Sequence, residues 1–302
     1  MKKVFLLTLL FFIANESFGQ ANLLNAKNPS EIGDSSESKA VSEFVDYEYV
    51  DDKDILWSKV VYEFIDLNER LNFPLLFPVN DTKYDDTRKS LWRVIRESIE
   101  NGKISEVYDS NNDNFTEASR IIGKDSTDLE ANVYKNYNIT DIYKSKYVPE
   151  SFVPREVASS ADIFGYVIKG IWYFDKIHAE LRYRLLAIQP YGTDLKTSVD
   201  GEETETGYFW IWYPSIREIL DDHLVFNDKN NNNRVSFDEL LINRRFSSYI
   251  YKYDNVYGDR EIRDYIRQRD NESYAQWQTR IVMESERIKK EILDFEIDMW
   301  GY

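Results

Sequence analysis

Two neighbouring stretches between residues 164 and 188 alternate apolar and polar side chains, and this alternation constrains the fold more than any other feature of the sequence. Successive side chains of a β-strand point to opposite faces, so a period of two indicates strands with one buried face. Their closeness in the chain predicts an antiparallel hairpin, with one face in a core and the other towards water or a partner. The expected core face carries Phe164, Tyr166, Ile168, Trp172 and Phe174, then Ala179, Leu181, Tyr183, Leu185 and Ala187, whereas Lys169, Glu180, Arg182 and Arg184 lie opposite.

Helical patterns lie on both sides of the hairpin. Arg88 to Asn101 has apolar residues on one face and Gly102 as a stop. From about Tyr274, apolar positions recur at steps of three and four residues almost to the C-terminus, which predicts one long amphipathic helix. The pattern therefore predicts an α+β fold with a central antiparallel hairpin or sheet, flanking helices and this long C-terminal helix. Its apolar stripe consists of Trp277, Ile281, Ser285, Ile288, Ile292, Phe295 and Met299.

Several shorter elements are also expected. An aspartate among residues 51–54 is expected to cap a helix that carries Ile55, Leu56, Val60, Tyr62 and Phe64. A short strand is expected from Ile104 to Tyr108, and an aromatic strand from Tyr208 to Tyr213 that ends at Pro214. A short helix should follow from Ile216 to Leu220. The last third of the chain is expected to be helical, with segments from Phe237 to Tyr251 and from Arg260 to Arg269.

The N-terminus has the layout of a secretory signal peptide, residues 1–19, with cleavage expected before Gln20. Lys2 and Lys3 precede an apolar run of roughly ten residues, too short for the ~20 that cross a bilayer. Residues 20–50 are polar and poor in apolar anchors, which is typical of a flexible segment. Residues 51–302 are then expected to form the folded domain. The chain has no cysteine, so it can carry neither a disulfide nor a lipidated N-terminal cysteine.

The chain is strongly acidic, with a formal net charge of −16. Such a charge repels phosphate backbones and anionic headgroups, which argues against nucleic-acid binding and against direct insertion into or docking on a membrane. Aromatic residues make up 15 % of the chain, and tyrosine and tryptophan are favoured at interfaces as well as in cores. The composition therefore fits a protein that acts through protein partners.

One stretch matches a chemical motif, the loop 228–239. It has the oxygen-bearing residues and the final Glu239 of a calcium-binding EF-hand, but Asn233 stands where that loop favours glycine, and few of its ligands are carboxylates. A turn followed by Ser236 and Glu239 as a capping box explains the same residues. A secreted calcium-binding module is the alternative function, while the main interpretation assigns no metal, no cofactor and no catalytic residue.

Motifs for catalysis are missing from the sequence. His178 and His223 are isolated, and the zincin helix, the nucleophile elbow and the phosphate-binding glycine loops are all absent. Acidic pairs such as Glu202–Glu203 and Asp221–Asp222 would suit a glycosidase only if two carboxylates faced one cleft. A secreted carbohydrate-active enzyme is thus a second alternative function, but the sequence predicts that the chain is not an enzyme.

Several aromatic and charged blocks, in this order along the chain, resemble one known family, the GldN/PorN family of the Bacteroidetes type IX secretion and gliding machinery. The resemblance runs from about Asp54 to Tyr302. The blocks are Asp54 to Tyr62 with Leu75 to Pro78, Arg88 to Trp92, Val153 to Arg155, Gly165 to Lys176, Tyr208 to Pro214, Val225 to Asn227, Arg245 to Lys252 with Asn255 to Tyr257, and Met283 to Lys289 with Trp300.

The resemblance implies a structural, non-catalytic subunit of a periplasmic ring complex. Its implied partners are an outer-membrane lipoprotein of the GldK/PorK type, the periplasmic region of an inner-membrane motor protein of the GldM/PorM type, and further copies of itself. The implied location is the periplasm, held at the outer membrane by the lipoprotein. The polar face of the 164–188 hairpin and the exposed side of the C-terminal helix are the expected partner surfaces.

Overall fold

The computed structural model describes residues 44–81, 88–120, 158–193, 205–225, 235–256 and 258–300. Glu43–Tyr302 form one compact unit. The expected signal peptide and most of the expected flexible segment lie outside the described residues, so the domain layout stays a prediction.

Seven strands within the described residues form one sheet, and every strand pair is antiparallel. The sheet order is β2-β6-β4-β3-β1-β7, with β5 paired to β4. The hairpin expected from the alternating pattern, β3–β4, lies at its centre, and the α+β prediction is confirmed. The strands are β1 (Ile55–Asp66), β2 (Tyr108–Asp109), β3 (Ile163–Asp175), β4 (Glu180–Thr193), β5 (Glu205–Gly207), β6 (Phe209–Trp212) and β7 (Tyr249–Tyr253).

Six α-helices accompany the sheet in the same described ranges: α1 (Phe73–Leu76), α2 (Leu91–Glu100), α3 (Arg217–Asp221), α4 (Phe237–Ile242), α5 (Ile262–Tyr265) and α6 (Tyr274–Trp300). The helices expected near 88–101, 216–220 and 274–300 are confirmed as α2, α3 and α6. The hydroxyl of Ser90 caps α2 by accepting the N–H of Arg93, and Gly102 follows its end with φ +68°. No helix of the described residues is both long and apolar enough to cross a bilayer.

The expectation of a helix after Asp54 is wrong, because this segment is strand β1. Asp51 does act as a cap, but for a single 3₁₀ turn, Asp52–Asp54. β1 lies between β3 and β7 and contributes side chains to both faces of the sheet. A strand buried on both faces loses the simple alternation that identifies strands in a sequence, while its β-branched and aromatic residues suit the pleated surface.

Two further expectations need correction. The segment 237–251 is not one helix, since α4 ends at Ile242, Arg244 has a left-handed φ of +51°, and Tyr249–Tyr253 pair with β1 as strand β7. Long-range pairing here outweighs local helical preference. The strand expected from Ile104 to Tyr108 begins only at Tyr108, while Ile104 is buried in the core. The aromatic strand is confirmed as β6.

A β-bulge changes which side chains of β4 share a face. Lys169 pairs with Ala187 and the next residue, Gly170, pairs with Leu185, so Leu186 is an extra residue. One extra residue reverses the alternation. Leu185 therefore lies in the main core while Ala187 lies in the cluster on the opposite face, and the expectation that they share a face is wrong. Ala179 lies in the turn with φ +53° and not in the strand.

Two hydrophobic clusters cover one face of the sheet. The larger cluster packs α2, α3 and α4 against β1, β3 and β4, and the second packs α6 against β1 and β7. Ser285, part of the expected stripe of α6, is fully buried and its hydroxyl accepts the N–H of Ile250 at 2.8 Å. Lys289 donates to the carbonyl of Ser248 at 2.7 Å. Helix α6 thus covers the outer edge of β7, which would otherwise offer unpaired backbone groups.

Candidate interaction surfaces

The charged face of the hairpin is already engaged by this chain. Residues 44–50 lie against the hairpin end of β4, where the guanidinium of Arg182 is 2.7 Å from the carboxylate of Glu48. Arg184 donates to the backbone carbonyl of Glu48, and its guanidinium lies 4.9 Å from the ring centre of Tyr47. The polar face of the hairpin, one of the two expected partner surfaces, is therefore largely occupied by contacts within the chain.

A buried ion pair between α3 and α4 also contacts residues 44–50. Arg217 of α3 contacts the carboxylate of Asp238 of α4 at 3.1 Å, and both side chains are almost fully buried. Arg217 also donates to the carbonyl of Val45 at 2.8 Å and lies 4.1 Å from the ring of Tyr47. The hydroxyl of Tyr213 donates to Asp238 at 2.8 Å. Residues 44–50 are thus tied to two helices and to the hairpin.

The second face of the sheet forms an aromatic groove with a volume of about 640 Å³. This volume lies within the roughly 300–1,000 Å³ typical of ligand sites. Side chains from five adjacent strands form the floor, and the first turn of α6, with Trp277, walls one side. The floor aromatics are arranged in edge-on pairs, such as Phe64 with Tyr191 at 5.4 Å and Tyr62 with Tyr251 at 6.3 Å between ring centres.

One end of this groove is closed by residues 109–116. Phe115, with φ +45°, packs edge-on against Trp212 at 5.2 Å. Beside it Asp113 accepts from Lys252 at 3.0 Å, and its backbone carbonyl accepts from Lys169 at 2.9 Å. The ammonium of Lys252 also lies 4.4 Å from the ring centre of Tyr62, within the range of a cation–π contact. The charges at this end are therefore paired within the chain.

The groove offers hydrogen bonding and stacking rather than reactive groups. Burial raises the pKa of Tyr62, Tyr191, Tyr249 and Tyr251, so their hydroxyls stay protonated near neutral pH and act as donors. Burial acts to raise the pKa of Asp113 as well, but hydrogen bonds from Tyr62 and Lys252 outweigh it and hold the pKa below its usual value. An ionised, paired carboxylate is a poor proton donor near neutral pH.

Sequence reasoning missed this groove. It assigned Tyr62 and Phe64 to a helix and Tyr249 to Tyr251 to another, so these rings were not expected to share a surface. The available signal was local alternation, because aromatic side chains stand at positions 62 and 64 and again at 249 and 251.

A second buried ion pair lies between the two clusters on the opposite face. Arg244 donates to both carboxylate oxygens of Glu63, at 3.0 and 2.7 Å, and Glu63 is 1 % exposed. The guanidinium lies 4.2 Å from the ring centre of Tyr183 and 5.4 Å from that of Trp172. Such a desolvated, fully coordinated pair fixes the turn after α4 against β1, and its role is structural.

The two histidines are separate from both surfaces. His178 lies in the hairpin turn, where its Nδ1 is 2.7 Å from the carboxylate of Asp175. The ring of His223 is 2.9 Å from the carbonyl of Ile219, and burial lowers its pKa. Within the described ranges, no three histidine, aspartate or glutamate side chains come together as a metal site. The acidic pair at 202–203 lies outside those ranges.

Residues 228–234, more than half of the EF-hand-like loop 228–239, lie outside the described residues. Its C-terminal end is described: Ser236 caps α4 by accepting the N–H of Glu239 at 3.0 Å, which is one half of the expected capping box. The carboxylate of Glu239 is 3.3 Å from a guanidinium nitrogen of Arg245. Calcium binding by this loop therefore stays an alternative prediction.

Comparison with known families decides the assignment. The sequence profile described as "Gliding motility associated protein GldN" matches residues 50–301, which is nearly all of the compact unit. The chain belongs to the GldN family. A search of curated proteins finds no match. GldN membership associates the chain with gliding motility and type IX secretion. The expected resemblance is thus confirmed.

Proposed function

We propose that this chain is a non-catalytic subunit of a periplasmic ring complex that supports type IX protein secretion and gliding motility. Its partners are an outer-membrane lipoprotein of the GldK/PorK type, the periplasmic region of an inner-membrane motor protein of the GldM/PorM type, and further copies of this chain. The lipoprotein would hold it at the outer membrane.

The match of the family profile to residues 50–301 carries this proposal. The physical features agree with it. A closed ring requires surfaces that repeat by rotation, and such surfaces are typically rich in tyrosine, tryptophan and arginine. The chain has 22 tyrosines and 7 tryptophans, and an aromatic groove lies on one face of its sheet. The absence of cysteine excludes a lipidated N-terminal cysteine, which agrees with anchoring through a lipoprotein partner.

Affinity purification from chemically cross-linked cell envelopes tests the proposal. The tagged chain is purified, and the proteins that accompany it are identified by mass spectrometry. We expect enrichment of one outer-membrane lipoprotein and one inner-membrane protein with a single span. An exported protein of similar acidity serves as the control bait, because a net charge of −16 attracts basic proteins without specificity.

Washing at about 0.5 M salt, where charge–charge attraction is screened within about 5 Å, separates specific from electrostatic capture. Partners that remain after this wash and are absent from the control support the ring role. Recovery of the chain alone, together with elution as a monomer from a sizing column, would overturn it.

A further inference from the structure

A second apolar stripe runs along α6 on the side that faces away from the sheet. Met283, Leu293 and Ile297 are 65 %, 52 % and 67 % exposed. An α-helix turns by about 100° per residue, so these positions lie opposite Ile288, which is fully buried against the sheet. Within the described residues this is the longest helix, and it carries one apolar stripe inward and one outward.

Between Met283 and Leu293 the outward stripe has the same pattern in both directions along the helix, whereas Ile297 would lie opposite Thr279 of a second copy. From Met283 the next positions on this face are Glu286, Lys290 and Leu293, at intervals of three, four and three residues. The outer two are apolar, and the inner two carry opposite charges. An antiparallel second copy would therefore place Met283 against Leu293 of that copy and Glu286 against Lys290 of that copy, with each contact made twice.

The charges near the middle of the helix favour the same antiparallel arrangement. With residue 288 as the midpoint, an antiparallel copy places Glu286 against Lys290, although Glu286 also contacts Lys289 of its own helix at 2.9 Å. A parallel pair would place Glu286 against Glu286 and Lys290 against Lys290, which is unfavourable. The acidic residues 291–298 would lie opposite residues 278–285 of the copy, which contain one basic and one acidic side chain.

We propose that the outer face of α6 forms an antiparallel pair with the same face of α6 in a second copy of this chain. The two-fold axis crosses this outer face at the level of residue 288 along the helix. The contact is isologous, because the same surface serves both copies. It is distinct from the rotational contacts that would close a ring and needs neither proposed partner. Dimerisation of the purified protein through α6 can therefore be tested separately from the ring role.

Cysteine cross-linking tests the register, and the cysteine-free chain gives it a clean background. Two variants, Met283→Cys and Leu293→Cys, are purified separately, mixed and oxidised. The proposed register brings the two cysteines together and predicts a mixed disulfide dimer. Two copies of Met283→Cys alone would have their cysteines about 15 Å apart along the helix, beyond the ~7 Å separation of Cα atoms that a disulfide can bridge.

Charge reversal tests the central pairs in the chain without cysteines. Glu286→Lys and Lys290→Glu should each weaken the dimer about tenfold, because each change turns two symmetric attractions into repulsions. The double variant Glu286→Lys/Lys290→Glu should restore it. Asp298→Lys is the matched control, an equal change of charge on the same helix outside the stripe. Sedimentation equilibrium up to about 0.2 mM measures the affinity, and circular dichroism confirms folding.

A mixed disulfide, together with loss and recovery of dimerisation in the charge variants, supports the proposal. A disulfide formed by Met283→Cys alone would indicate a parallel pair and overturn it. A protein that stays monomeric throughout the concentration range and forms no mixed disulfide would overturn it too, as would a dimer that all three charge variants leave unchanged.

Discussion

Replacing Arg244 by methionine should destabilise the fold severely, because it leaves a charge buried without its partner. Glu63 is 1 % exposed and lies at the centre of the sheet, where Arg244 donates to both of its carboxylate oxygens. Methionine has a similar length, and its thioether replaces the guanidinium against the ring of Tyr183. The change therefore removes the charge while it preserves most of the packing.

Breaking a fully buried ion pair by removing one partner costs about 3–5 kcal/mol. The Arg244 side chain is 24 % exposed, so some water already reaches it, and we expect the lower end, about 3 kcal/mol. Replacing both residues, as Glu63→Met/Arg244→Met, removes the buried charge as well. The double variant should then lose less free energy of unfolding than the sum of the two single variants, with a coupling of about 2 kcal/mol.

Urea unfolding of the wild type and the three variants, followed by tryptophan fluorescence, measures these free energies. Arg244→Gly adds a test of the backbone. Because Arg244 has φ +51°, glycine relieves about 1 kcal/mol of strain and should be less harmful than alanine at the same position. A loss of unfolding free energy below about 1 kcal/mol in Arg244→Met would refute the argument that this pair is a desolvated unit. Additive effects of the two single variants in the double variant would refute it as well.

Three further predictions concern α6 and the N-terminal segment. Ser285→Ala removes the acceptor of the Ile250 N–H and should cost about 1–3 kcal/mol, with faster hydrogen exchange at that amide; unchanged exchange would contradict the edge-capping role. Arg217→Met leaves the carboxylate of Asp238, 7 % exposed, without its ion pair and should speed proteolysis within residues 44–50, as seen by mass spectrometry. Burial raises the pKa of Tyr47 to about 12, above its unfolded value near 10. The stabilisation that the protonated hydroxyl gives the fold is therefore fully present below pH 10 and is lost as the pH rises to about 12. Tyr47→Phe should reduce this loss of unfolding free energy by about 2 kcal/mol, as measured by urea unfolding over this pH range.

Local patterns in the sequence predicted the hairpin β3–β4 and helix α6. Helix α6 has one buried and one exposed face, so its period of 3.6 residues remains visible in the sequence. The hairpin keeps a visible period of two because its second face carries charged, partly buried side chains such as Lys169, Arg182 and Arg184, although β3 itself has no exposed residue. Gly102 likewise marked the end of α2 through chemistry confined to a few residues, whereas the cap Ser90 was not predicted. The aromatic blocks were sufficient to indicate the family.

The tertiary structure decided the elements whose surroundings are distant in sequence. β1 is a strand because it pairs with β3 and β7, and β7 is a strand because it pairs with β1 across some 190 residues. In the sequence, only the short aromatic alternations at 62 and 64 and at 249 and 251 signal these strands. The extra Leu186 of β4 moved Ala187 to the opposite face, since one inserted residue reverses an alternation of two. The aromatic groove and the pair Glu63–Arg244 depend on that pairing and register, so composition and spacing alone could not place them. The sequence by itself determined the α+β class and the end of α2, because these depend on contacts between near neighbours, and it determined the family through the order of its aromatic and charged blocks. Only the assembled sheet decided which side chains meet.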